Sequence, residues 1–150
     1  KQAAERKERA ERHDLRYRFW SALLTEAKTK TAIHANRSPS DDGWLSGSTG
    51  RTGFDFTYTT RQKDSQVEVW IVRNKAAFQQ LLSQKDAIEQ EFKGTLDWQE
   101  LPAKEGSRIR FVVEGGYRSP PDEWPGIHTK LIDAMIRLDK AFRTRIAKLP

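Results

Sequence analysis

The alternation of apolar and polar positions predicts a leading helix, two strands, a helix, two more strands and a last helix. From Ala3 to Lys30 the chain has helical character in two unlike halves. Up to Asp14 it is polar on all sides; beyond it Leu15, Phe19 and Leu23 recur every fourth residue beside Trp20, Leu24 and Ala27. The first half reads as a solvent-exposed connector, the second as a helix with a face to bury. Residues 37–51, rich in Ser, Gly and Asp, read as a loop. Phe54, Phe56 and Tyr58 then alternate with Asp55, Thr57 and Thr59, the pattern of a half-buried strand. After a polar turn at 61–66, Val67, Val69 and Ile71 alternate with Glu68, Trp70 and Val72. Trp70 and Val72 are more apolar than the residues facing away from the core on the preceding strand, so partial cover over that face is expected.

Asn74 is a good N-cap for a helix ending at Gly94, with Phe78, Leu81, Leu82, Ile88 and Phe92 as its buried stripe. Leu96–Leu101 and Ser107–Glu114 are strands about a turn; on the second, Ile109, Phe111 and Val113 share one face, and Arg108 and Arg110 take the other. Asp122 is placed to cap a helix to about Lys148, whose Trp124, Ile127, Leu131, Met135, Leu138, Phe142, Ile146 and Leu149 follow spacings of three and four. A further apolar line on it, Ile132 and Ile136, is wider than one sheet contact requires. The order α-ββ-α-ββ-α with short hairpins implies an α+β fold: a single four-stranded, mainly antiparallel sheet with helices packed on it. Residues 1–14 are expected to be a charged connector helix from an upstream region, and 15–150 a single domain.

Composition narrows the function classes. The 150 residues include no cysteine, which excludes disulfides and thiol chemistry. No apolar run approaches the roughly 20 residues that span a bilayer, so no membrane role is expected. The chain opens on Lys1 without an initiator methionine or export signal, and is read as a piece of a longer, cytoplasmic polypeptide. The net charge of +6 is uneven: residues 1–37 hold ten basic and five acidic side chains, residues 38–121 eleven and twelve, and residues 122–150 six and four. Polyanion binding is one reading of the basic ends. The other is structural, with Glu5–Arg9 and Glu8–Arg12 as helix pairs and Lys140, Arg143, Arg145 and Lys148 complementing the final helix dipole.

Little in the sequence points to catalysis. His13, His34 and His128 lie on separate segments without ligand spacing, and no G-x-S-x-G occurs. Gly47–Gly53 looks like a phosphate cradle, but a P-loop needs a preceding strand and a Lys-Ser or Lys-Thr ending. A helix followed by a hairpin resembles the restriction-endonuclease core. Asp55 and Glu68 then fall at its acidic positions, but Trp70 stands where its lysine is needed. No catalytic residue, metal or cofactor is assigned. The remaining surface is the sheet face with Thr57, Thr59, Arg61, Trp70, Gln99, Arg108 and Arg110, which combines polar groups, arginines and an aromatic as single-strand binders do. The alternative is that a helix covers Trp70 and Val72 and the arginines frame its edge. Arg51, Lys28, Lys30 and Arg37 complete the candidate nucleic-acid contacts.

Lys85-Asp86-Ala87-Ile88-Glu89-Gln90-Glu91-Phe92, followed by Leu96-Asp97-Trp98 and Arg108-Ile109, resembles the domain of unknown function 4268 family. Tyr17-Arg18-Phe19-Trp20, Gly43-Trp44-Leu45 and the Trp124 helix agree, so the resemblance spans roughly Tyr17 to Phe142. It implies a C-terminal domain of bacterial and archaeal proteins, often after a PD-(D/E)XK nuclease-like domain, without known catalytic residues. The leading expectation is therefore a non-catalytic accessory module, not itself an enzyme. It would help a restriction- or phage-defence-like nuclease engage DNA independently of sequence, with the upstream nuclease-like domain as its partner in the same chain. The alternative is a homo-oligomerisation module, dimeric through the C-terminal helix. A degenerate or metal-assisted nuclease using Asp55 and Glu68 is the third.

Overall fold

Hydrophobic faces from both ends of the chain meet on one side of a single sheet. A computed structural model describes all 150 residues. The elements are α1 (Gln2–Ala27), β1 (Trp44–Ser48), β2 (Phe54–Thr60), β3 (Asp64–Ile71), α2 (Lys75–Leu82), α3 (Lys85–Phe92), β4 (Asp97–Gln99), β5 (Ser107–Glu114), a 3₁₀ turn (Pro121–Glu123) and α4 (Trp124–Ala147). The strands form one antiparallel sheet in the order β1-β2-β3-β5-β4. The α+β class stands, but the sheet has five strands, not four. The additional strand, β1, lies inside the segment expected to be loop.

The reason is local. On β1 the inward positions are Leu45 and Gly47, opposite Tyr58 and Phe56. Gly47 is required because a Cβ there would lie 2.7 Å from Nε2 of the buried His34. A strand with glycine on its buried face has almost no alternation to read. The helix expected over 74–94 is likewise two helices, turning at Ser83 and Gln84. Its stripe has no apolar residue between Leu82 and Ala87, and the chain re-aims there so that α3 packs along α4. Asn74 caps α2 through Oδ1, which accepts from Ala77 N at 2.9 Å. Asp122, in contrast, caps nothing, since the 3₁₀ turn leads into α4.

α4 is the central element. It lies across β2, β3 and β5, with α1 against its first half through Phe19 and Trp124 (5.3 Å) and α3 against its second through Arg137 and Phe92 O (2.7 Å). Ile132 is completely buried within the chain and Ile136 is about one-third exposed. Of the two positions that prompted the dimer expectation, the chain's own helices cover Ile132 and leave Ile136 at the surface. Arg51 closes the end of α4, donating to the carbonyls of Ile146, Leu149 and Pro150 at 2.9, 2.7 and 2.8 Å.

Two histidines are enclosed in this core. His34 donates through Nε2 to Phe56 O at 3.0 Å and buries Nδ1 without a partner. His128 packs edge-on against Phe19 at 4.4 Å. Burial lowers both to about 4 from 6.5; for His34 the Phe56 carbonyl opposes that and Arg37 adds to it, while for His128 Glu26 opposes it. The unfolded chain therefore binds protons first as pH falls. Their contribution is whole above about pH 6.5 and disappears towards pH 4, roughly 3 kcal/mol each. The urea midpoint should drop through this window and drop less for His128→Leu. A wild-type midpoint level from about pH 7 to 4 would contradict the assignment.

Candidate functional site

Because every helix packs on one face of the sheet, the other face is open, and register sorts its side chains into cross-strand rows. One row runs Trp44, Thr59, Gln66, Val112; the next Ser46, Thr57, Glu68, Arg110, Asp97; the third Ser48, Asp55, Trp70, Arg108, Gln99. Trp44 is 57% and Val72 43% exposed, while Trp70 is half-buried against Gly106, so the partial cover expected for Trp70 and Val72 reaches Trp70 alone and comes from a loop, not a helix. Thr57, Gln66 and Glu68 are nevertheless buried, because the longer side chains around them close over the middle strands.

These rows are tied by hydrogen bonds. Gln66 Oε1 accepts from Arg110 Nη1 at 2.8 Å and Arg61 Nη2 at 3.3 Å, which turns its amide nitrogen onto Glu68 Oε1. Arg110 also donates through Nε to Asp97 at 2.9 Å, Asp97 accepts from Gln99 at 2.7 Å, and Gln99 accepts from Arg108 Nε. Ser46 and Thr57 share a 3.0 Å bond. Burial pushes the Glu68 carboxyl above its usual range, against the Gln66 bond and the charges of Arg108, Arg110 and Arg61. Burial also raises Asp55, against the charge of Arg37.

A pocket of about 410 Å³ opens over this network, lined by Trp44, Ser46, Thr57, Thr59, Glu68, Trp70 and Arg108. That volume is in the range of small-molecule sites. A second groove shares Trp44 and Ser46 with it and extends past Ser38 and the exposed Arg37. Another groove, about 570 Å³, lies between α2, α3 and the end of α4, lined in part by Lys140, Arg145 and Lys148. It has neither an aromatic ring nor a buried ionisable group, and Arg145 is held there by Gln84 and Glu91. Stacking surface, a desolvated carboxyl and a free guanidinium edge coincide only over the sheet, the combination that marks functional sites.

The pocket wall is built to hold Trp70. Its ring lies on Gly106, where any Cβ would collide with the indole carbons. Gly106 is held by Lys75, whose Nζ shares its three protons among the carbonyls of Glu100, Leu101 (3.0 Å) and Gly106 (2.8 Å) and Ser107 Oγ (3.0 Å). Beside this clasp Arg73 (φ 48°) and Leu101 (φ 55°) are left-handed, at a cost of roughly 1–2 kcal/mol for a residue with a side chain.

Of the residues singled out from the sequence, Arg61, Trp70, Arg108 and Arg110 are gathered on this face, and Arg37 flanks it. Arg51 is not on it: its guanidinium is bound to the end of α4. Lys28 and Lys30 sit at the end of α1 in the helical layer, Lys30 in a 3.0 Å pair with Glu26. Sequence reasoning missed Trp44 and treated Glu68 only as a metal ligand. Trp44 becomes legible only once residues 44–48 are recognised as a strand. Asp55 and Glu68 share the face diagonally, but no three His, Asp or Glu side chains gather at one point.

A family model described as Domain of unknown function (DUF4268) matches residues 15–146. No curated protein and no solved structure matches the chain.

Gly106→Ala should displace Trp70 by overpacking and destabilise the fold by about 1–3 kcal/mol. The Trp70 indole N–H cross-peak should shift, while those of Trp20 and Trp124, bound to Asp42 O and Ser119 O, stay in place. An unmoved Trp70 signal would mean that Gly106 does not position the ring.

Proposed function

The chain belongs to the family described as Domain of unknown function (DUF4268), and we propose that it is a non-catalytic module that holds single-stranded nucleic acid, DNA above all, on its open sheet face. The observation that carries this reading is the pocket in which Trp44, Trp70 and Arg108 surround the buried Glu68. Exposed aromatic rings on a sheet stack unpaired bases, at about 1–3 kcal/mol per base, and tolerate any sequence. The bases of a duplex are already stacked and paired, so this face suits a single strand better.

Charge supports base contacts over phosphate contacts. The face bears Asp55, Asp64, Glu68, Asp97 and Glu114 against Arg61, Arg108 and Arg110, and Arg61 and Arg110 are paired with Asp64 and Asp97 at 2.6 and 2.9 Å. The guanidinium edges of Arg108 and Arg37 remain for the backbone, one on each side of the pocket. Catalysis is not part of the proposal, because no lysine or histidine stands in these rows to activate a water beside Glu68 or Asp55. In the same reading the exposed first half of α1 joins the module to an upstream nuclease-like domain, as the family resemblance implies.

Titration of labelled single-stranded and duplex DNA tests this. The single strand should bind more tightly, with a shallow salt dependence, about one to two in log–log slope for two phosphate contacts. Trp44→Ala and Trp70→Ala should each weaken binding about tenfold or more. Arg51→Ala should leave affinity unchanged while lowering the melting temperature. Failure to bind any single strand, or unaltered binding by the double tryptophan variant, would overturn the proposal.

A further inference from the structure

We infer that Glu68 makes the pocket prefer bases bearing an exocyclic amino group over thymine or uracil. This rests on the single-strand reading above and adds a specificity to it. The Glu68 side chain is buried, with only 6% of the residue exposed, and its two oxygens differ. Oε1 accepts from the Gln66 amide. The direction of that amide is set by Arg110 and Arg61, which occupy its carbonyl end at 2.8 and 3.3 Å, so Gln66 can only donate to Glu68. Oε2 takes no hydrogen bond within the chain, and Glu68 lines the pocket together with the two tryptophans.

A carboxylate oxygen so poorly solvated gains most from a ligand that brings it a donor. Cytosine N4, adenine N6 and guanine N2 carry amino groups at the edge of the ring. Thymine and uracil present carbonyl oxygens at the edge instead, and their one N–H lies between two of them. An acceptor set against an acceptor is repelled, and that is how a buried polar group discriminates. Arg108 lines the same pocket, where its guanidinium edge serves the backbone beside the stacked base. It also disfavours the other ligand that tryptophans and a carboxylate attract, a cation, by placing a positive charge in the cage.

The test compares oligo(dC) with oligo(dT) of equal length on the intact chain at mildly alkaline pH, which favours the carboxylate over the protonated acid. Both are pyrimidines, so stacking and backbone contacts are matched. Oligo(dC) should bind about tenfold more tightly, the lower end of discrimination by a well-made base contact. An oligomer of N4,N4-dimethylcytosine, which has lost the donor, should fall to the level of oligo(dT). Glu68→Gln, whose amide both donates and accepts, should bring the two natural oligomers together. Equal wild-type affinity for oligo(dC) and oligo(dT), or a preference that survives dimethylation, would refute the role of Glu68 and leave single-strand binding standing. Binding to neither oligomer would remove the single-strand reading and this inference with it.

Discussion

All the helices of this chain lie on one face of a five-stranded sheet, and the character of the other face follows from that asymmetry. A strand presents alternate residues to opposite sides, so the apolar burial that secures Phe56, Val67, Val69 and Ile109 beneath α4 sends Thr57, Gln66, Glu68, Arg108 and Arg110 outward. At the centre of the sheet those outward residues are hemmed in by neighbours on both sides. Polar groups in that position need partners from their own face. The chain from Arg61 through Gln66 to Glu68, and from Arg110 through Asp97 to Gln99 and Arg108, supplies them. One oxygen of Glu68 is left over. The open pocket is the place where the satisfaction of the face stops.

Preorganisation of that pocket comes from its edges. Trp70 rests on a glycine that Lys75 holds from below, and two left-handed residues, Arg73 and Leu101, are tolerated beside the clasp. At the opposite corner Trp44 stands on β1, which approaches β2 closely only because Gly47 leaves room for His34. Each tryptophan thus depends on a glycine whose missing side chain admits a ring, that of Trp70 itself at Gly106 and that of His34 at Gly47. The same enclosure keeps His34 neutral, so the β1 corner of the pocket and the acid sensitivity of the fold share one structural cause.

Several of the basic residues are engaged within the chain itself. Arg51 closes the end of α4, Lys30 pairs with Glu26, and Arg143 and Arg145 pair with Asp139 and Glu91 at 2.5 and 2.8 Å. Cations near helix ends are drawn to carbonyls and nearby carboxylates before any external partner. What distinguishes the sheet face is the pairing of exposed rings with a desolvated carboxyl, and neither rings nor burial appears in a count of charges.

The amino-acid sequence alone determined the class of the fold, the helices with long apolar stripes, three of the strands closely, and the sharing of one face by Trp70, Arg108 and Arg110. Those features rest on periodicity, which local backbone geometry imposes whatever surrounds it. The family to which the chain belongs was legible in the same way, from short motifs. Tertiary structure alone decided that Trp44–Ser48 pairs as a strand, that α2 and α3 part at Ser83, that Arg51 serves α4, and that Glu68 is buried with one oxygen free. Each of these depends on what lies opposite in space: a histidine against a glycine, a helix axis to follow, a carbonyl to cap, a glutamine turned by two arginines. Such partners are 13 to nearly 100 residues apart or are fixed by a third side chain, and no local pattern records them.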